Sequence, residues 1–390
     1  MKFLLLAFLI SSIPPSFAEL YDSANHPNNF RRLMGTNLVL DFDGLPTSGK
    51  LSDDRLGWSE SYWPSNKGGI AYRWNHPNPT PFKYKLYTRE ELQKMSKQEL
   101  EQLSPAELYD IANNDYNYTL TRRAFSLYNA RDLWWEGICH GWAQAATHYP
   151  EPREVVIRNN AGIQVPFGSS DVKALLAMHE SYNYKGEEFG FVGKRCRING
   201  KVEGESSSRD THQSPPSAEE AESPDCRDVN AGAFHVVLAN MIGILGKGFV
   251  ADVDRFNDVW NQPVTNYSSQ IVGEEPVDAT HSAQGIARRV RVKTKFVYGE
   301  ELMFYTPEAA ARGSKNFVSK KPVTMTPHQE YRHKDYEYIV ELNANGRVIG
   351  GEWITETRPD FIWNYKHPKT FKNSPIPLAA LRFIYQPLRR

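Results

Sequence analysis

Trp134-Trp135-Glu136-Gly137-Ile138-Cys139-His140-Gly141-Trp142-Ala143-Gln144-Ala145-Ala146 is the stretch on which the rest of the chain is read. Gly137 and Ile138 lead into a cysteine, and the small residues Ala143, Ala145 and Ala146 behind it predict a helix. A thiol in the first turn of a helix feels the positive end of the helix dipole, which favours the reactive thiolate. Trp135 and Trp142, with Trp63 upstream, are expected to wall a cleft and exclude water. The plainer reading of Cys139 is a small apolar residue on a core helix, the usual fate of a lone cysteine. The surrounding chain favours the nucleophile.

With 390 residues the chain is long enough for one large domain or two ordinary ones. Basic and acidic residues both number 46, so no charge excess points to nucleic acid. Aromatics make up 12%, with nine Trp, which suits a globular protein with aromatic-lined grooves. Lys2, the apolar run 3–10 and Ser16-Phe17-Ala18 follow the order of a secretory signal peptide, with residues 1–18 removed on export. That run is too short to span a bilayer, and no later stretch approaches the required length. The expectation is an exported monomer without a membrane span, extracellular or periplasmic, with a single catalytic domain over residues 19–390.

Export makes the three cysteines informative, because an oxidising compartment favours pairing. Cys196 and Cys226 bracket a polar segment and are expected to form a disulfide. Closing that loop of about 30 residues contributes about 3 kcal/mol in the chain-entropy picture. Cys139 is then left as a free thiol, which in an exported protein calls for a reason. Residues 204–223 carry no large apolar side chain and are expected to be a disordered insertion.

Thr88 with Glu91, Ser96 with Glu99, and Ser104 with Glu107 are capping boxes, the last followed by Pro105 at the first helical position. They predict a cluster of short helices. Residues 154–158 and 162–167 read as a hairpin turning at Asn159-Asn160, and Ser169 or Ser170 caps a helix over 171–178. The apolar run 230–243 reads as β-rich, carries His235, and turns at Gly246-Lys247-Gly248 into a strand over 249–254. Residues 289–298 alternate, and 336–342 and 347–354 flank Asn345-Gly346, a strong hairpin signal. The fold class is α+β: a helical N-terminal part and an antiparallel, β-rich C-terminal part.

Acyl transfer by a thiol needs a base, a group that orients the base, and donors for the oxyanion. Hairpin pairing of 230–243 with 249–254 would bring His235, as base, close to Asp252, as its orienter; Asp254 or Asn261 are substitutes for Asp252. His140, next to the cysteine, is expected to point elsewhere on the helix. Asp252, Asp254 and Asp258 are spaced like turn or calcium ligands, but the glycine and distal glutamate of an EF-hand are missing. No phosphate-binding loop, dinucleotide fingerprint, zinc spacing or Gly-x-Ser-x-Gly elbow is present.

Val259-Trp260-Asn261-Gln262-Pro263-Val264 resembles the surface peptide by which plants detect the cell-wall transglutaminase elicitor of oomycete pathogens, a family with bacterial relatives. The same family is matched at Ser59-Glu60-Ser61-Tyr62-Trp63-Pro64, at Gly137-Ile138-Cys139-His140-Gly141-Trp142, at residues 226–238 and at Gly350-Gly351-Glu352-Trp353. The resemblance implies a papain-like, transglutaminase-like catalytic core and a protein-glutamine γ-glutamyltransferase. Its substrates would be protein or peptide glutamine donors and primary-amine acceptors. It implies Cys139 as nucleophile, His235 as acid and base, Asp252 as orienter, and calcium dependence, with metal ligands unassigned. After Val264 the chain departs from the family pattern, so recognition by plants is not implied. Two other readings use the same residues: a papain-like cysteine peptidase or amidase acting on cell-wall peptides, and a surface-binding protein without chemistry.

Overall fold

A computed structural model describes residues 19–73, 84–182, 189–194, 228–255, 258–277, 285–301, 331–366 and 374–387. The expected signal peptide over 1–18, the expected insertion over 204–223, and Cys196 and Cys226 with their expected disulfide lie outside the described residues. A nine-stranded sheet carries the fold. Its strands are β1 (Glu19–Leu20), β2 (Ser48–Lys50), β5 (Phe189–Gly193), β6 (Phe249–Asp252), β7 (Asn261–Glu275), β8 (Arg288–Gly299), β9 (Tyr331–Leu342), β10 (Val348–Trp353) and β11 (Phe361–Tyr365). The spatial order is β1-β10-β9-β8-β7-β6-β11-β5, with β2 paired to β7, and every described pairing is antiparallel. A separate hairpin joins β3 (Val155–Arg158) to β4 (Gln164–Phe167).

The sheet is buried on both faces, because residues that alternate along a strand point to opposite sides. Val250, Phe361, Trp363 and Tyr365 pack into one core with Cys139 and Trp142. Phe249, Ala251 and Ile362, their strand neighbours, pack into a second core on the other side. The first core is covered by α6 (Cys139–His148) and α7 (Ser169–Ser181), together with the short helices α2 (Arg89–Leu92), α3 (Lys97–Leu100), α4 (Pro105–Ala112) and α5 (Thr119–Ser126). The second is covered by α8 (Ala231–Leu238), which continues as a π-helical turn over Ala239–Ile244.

The three capping boxes form as their sequences require, each with reciprocal side-chain and backbone bonds. The β3–β4 hairpin turns at Asn159, whose side chain accepts from the amides of Ala161 and Ile163. Gly346, at φ 74°, closes the β9–β10 turn in the left-handed region. For α7 the cap is Gly168, with the Asp171 carboxylate taking its amide, so the helix starts at Ser169.

The run over 230–243 is a correction: it is helix, not strand. Asn230 caps it by accepting from the amides of Gly232 and Ala233. Its residues are buried all round, between the sheet and the segment near Phe42, so no amphipathic period marks it as helical. β6 consequently pairs with β7 and β11, not with the His235 segment. Among the described residues no helix is long and apolar enough to cross a membrane.

Candidate active site

Cys139 is the first residue of α6, and the chain before it is tied down from outside the helix. Segment 58–66 runs alongside: Ile138 N donates to Tyr62 O (2.8 Å), Ser65 N to Glu136 O (2.9 Å), and Tyr62 OH to Trp134 O (2.6 Å). That segment is itself anchored to α7. The fully buried Lys173 donates from Nζ to Ser59 O (2.9 Å) and pairs with Glu151 (2.7 Å). Beside it, burial pushes the Glu60 carboxyl up to about 7. Gly141 lets α6 pass against α7, since a Cβ there would stand 2.1 Å from Ala177 O. Cys139 is thus fixed by covalent neighbours on two rigid supports.

On the strand side, the Asn261 amide donates from Nδ2 to Cys139 Sγ (3.3 Å), and its Oδ1 accepts from Trp363 Nε1 (2.7 Å). The indole therefore fixes which end of the amide meets the sulfur. Asp252 stands in register between Asn261 on β7 and Phe361 on β11, and shares their face of the sheet with Val250. It is 0% exposed, and neither carboxylate oxygen makes a close, well-directed hydrogen bond among the described residues. Burial raises its pKa well above the ordinary carboxylate range, and Asp360, Asp254 and Asp258 reinforce the shift.

A cavity of about 670 Å³ opens over the sulfur. Trp63, Ile70, Leu127, Trp135, Met178 and Phe361 supply its apolar lining, and Asn261 and His140 are among its polar groups. Burial raises the Cys139 thiol above its usual range; the Asn261 hydrogen bond pulls the other way without reversing it. Desolvation in this 6%-exposed site therefore works against the thiolate that the helix dipole favours.

The structure brings Cys139, Asn261 and Asp252 together and leaves His235 apart. His235 lies on α8, in the core on the opposite face of the sheet. Its Nδ1 bonds Tyr338 OH (2.9 Å) and its ring stacks on Phe42. The sheet separates it from the thiol, so it cannot serve as base in this conformation. Trp142 is also corrected. It is fully buried, donates to Trp58 O (3.0 Å), and packs beneath the site without lining the cavity. Trp63 and Trp135 do line it. His140, expected to point away, is on the cavity wall, with its pKa lowered to about 4 by burial. Trp363 was not singled out from the sequence; no local pattern connects an indole on β11 to a cysteine on α6.

Calcium stands as what the family resemblance implies, with its ligands unassigned. No group of three or more His, Cys, Asp or Glu side chains among the described residues is placed to hold a metal ion. Asp254, one member of the acidic run, pairs instead with Lys334 (3.3 Å). No step below passes through a metal.

The fold resembles the crystal structure of the GP42 transglutaminase from Phytophthora sojae, with a TM-score of 0.60 over 93% of this chain and 98% of that one. Sequence identity is 21%, so the likeness concerns the mixed helix and antiparallel-sheet fold alone. No curated protein is significantly similar in sequence. Residues 28–374 match the transglutaminase elicitor family, a span that holds Cys139, Asn261, Asp252 and Trp363, and the chain belongs to that family.

Proposed function

We propose that the chain is an exported protein-glutamine γ-glutamyltransferase in which Cys139 is the nucleophile and the catalytic core is papain-like in layout: a cysteine at a helix start facing polar groups on adjacent strands. The observation that carries the reading is the Asn261 amide, locked by Trp363, with its N–H directed at the sulfur of Cys139 inside an aromatic-lined cavity. The leader over residues 1–18 supports export.

In this reading Sγ attacks the carboxamide carbon of a glutamine side chain. The C–N bond breaks, and ammonia leaves with the proton that the thiol gave up. A primary amine then attacks the thioester, the C–S bond breaks, and the thiol regains a proton from the amine. Asn261 Nδ2 stabilises negative charge, first on sulfur and then on the carbonyl oxygen beside it. A resting thiol needs a proton acceptor of comparable affinity. His140, held at about 4 by burial, is a weak acceptor for a thiol whose proton affinity burial raises. Asp252, in register with Asn261 on the neighbouring strand, is the other buried candidate, with its proton affinity raised by burial and neighbouring carboxylates. We assign it the proton-holding role in place of the His235 orienter role.

The test is incorporation of a fluorescent primary amine into a glutamine-rich protein, with ammonia followed in parallel, for wild type and Cys139→Ala. Incorporation that the substitution abolishes supports the transferase. Ammonia release without incorporation makes the protein an amidase on the same residues. Neither activity, with the fold intact, overturns the proposal in favour of a binding protein.

A further inference from the structure

We propose that the cavity selects a glutamine flanked in its peptide by a bulky apolar side chain, a specificity that rests on the transferase reading of Cys139. A volume of about 670 Å³ lies within the range of roughly 300–1,000 Å³ typical of pockets that enclose drug-sized ligands. One carboxamide side chain reaching Cys139 fills only a small part of it. Much of the remainder is lined by Ile70 from the 58–71 segment, Leu127 at the end of α5, Met178 from α7 and Phe361 from β11, whose side chains carry no N–H or O–H, while Ser65, Asp132, Glu136 and His140 supply polar groups elsewhere on the wall. Against that apolar part of the wall water would lack partners, and a polar residue of the donor seated there would lose hydration without compensation.

The apolar surface continues past the mouth. Leu127 is 49% exposed although it belongs to the cavity lining. Trp134, beside the lining residue Trp135, is 36% exposed and rests on Trp260, which in turn packs edge-on against Tyr62. Isolated exposed apolar residues are ordinary; two large ones beside an apolar cavity that contains a nucleophile form a continuous receiving surface. The occupant this surface fits is an extended donor segment with Leu, Met or Phe next to the reactive glutamine.

Two synthetic peptides decide the point, one with Leu and Phe flanking the glutamine and one with Ser in both positions. Amine incorporation by the wild-type chain should favour the apolar peptide by about tenfold in kcat/KM, the scale set by apolar pocket contacts. In Leu127→Asp, at a half-exposed position that tolerates charge, that ratio should fall at least threefold. Fluorescently labelled versions bound to Cys139→Ala measure the same preference by anisotropy without chemistry. Equal kcat/KM for the two peptides, or equal binding, overturns the proposal, as does a ratio unmoved by Leu127→Asp. Selective binding of the apolar peptide with no amine incorporation by wild type sinks the transferase reading while leaving the apolar selectivity standing.

Discussion

At Asn261 one amide serves two neighbours: Nδ2 faces the sulfur of Cys139 and Oδ1 is held by Trp363. Replacing it by Ala removes the donor and leaves a buried indole N–H unpaired. We expect Asn261→Ala to lower kcat about a hundredfold, the usual cost of losing one such donor. The pH midpoint of iodoacetamide alkylation at Cys139 should move upward, because Asn261 lowers the thiol pKa. Trp363→Phe keeps the packing and frees the amide to rotate, so about a tenfold loss in kcat with little change in KM is expected. An unchanged alkylation profile in Asn261→Ala would sink this account of the site. His235 supplies a separate prediction. Burial lowers its pKa to about 4, against about 6.5 when exposed in the unfolded chain. Its contribution is therefore fully present above pH 6.5 and is lost as pH falls from 6.5 toward 4, by about 3 kcal/mol. Urea unfolding at a series of pH values, in wild type and His235→Gln, should show that slope diminished in the variant.

Among the elements, the helices with capping boxes were legible and the buried one capped by Asn230 was misread. Thr88, Ser96 and Ser104 announce their helices through local chemistry that tertiary contacts do not alter. The 230–243 run offers no helical periodicity, since it is buried on every side, and Phe234, Val236, Val237 and Ile242 favoured strand while packing imposed helix. That single error moved His235 from behind the sheet to beside the thiol. The helix start at Cys139 was legible from the small residues Ala143, Ala145 and Ala146 behind it, and the structure shows Gly137 and Gly141 where the backbone passes close to other chain. A Cβ at Gly141 would meet Ala177 O at 2.1 Å, so Gly141→Ala should push α6 off α7. We expect about 3 kcal/mol of destabilisation, read by chemical denaturation, with activity lost in the variant even well below its unfolding transition.

For the molecule as a whole, the sequence specified an α+β chain with its antiparallel strands in the C-terminal part, and the hairpin at Asn345-Gly346 lies where it was expected. What it did not specify is the sheet order. β11 sits between β6 and β5, and no short-range pattern encodes a pairing between strands so far apart along the chain. The site depends on that order. Cys139 comes from one helix, Asn261 and Asp252 from two neighbouring strands, and Trp363 and Phe361 from a third. The motifs that identify the family are divided by the sheet accordingly. Those around Tyr62 and Cys139 build the cavity, while Gly350 and Gly351 press against Gly232 to seat α8 on the far side.

The late position of β11 has a consequence for the order of events during synthesis. Until residues 361–365 have left the ribosome, β6 has an open edge, the Asn261 amide has no indole to fix it, and the cavity lacks a wall. Pairing of such distant segments is slow, because a long loop must close before any contact compensates for it. A nascent chain that already contains Cys139 therefore carries an accessible, unaligned thiol and no assembled site. A ribosome-stalled chain ending before Phe361 should react with iodoacetamide at neutral pH at the rate of an unfolded cysteine, while the complete folded chain resists. Insertion of the eleventh strand is then what completes the cavity around the thiol, and the topology delays that moment until residues 361–365 have emerged.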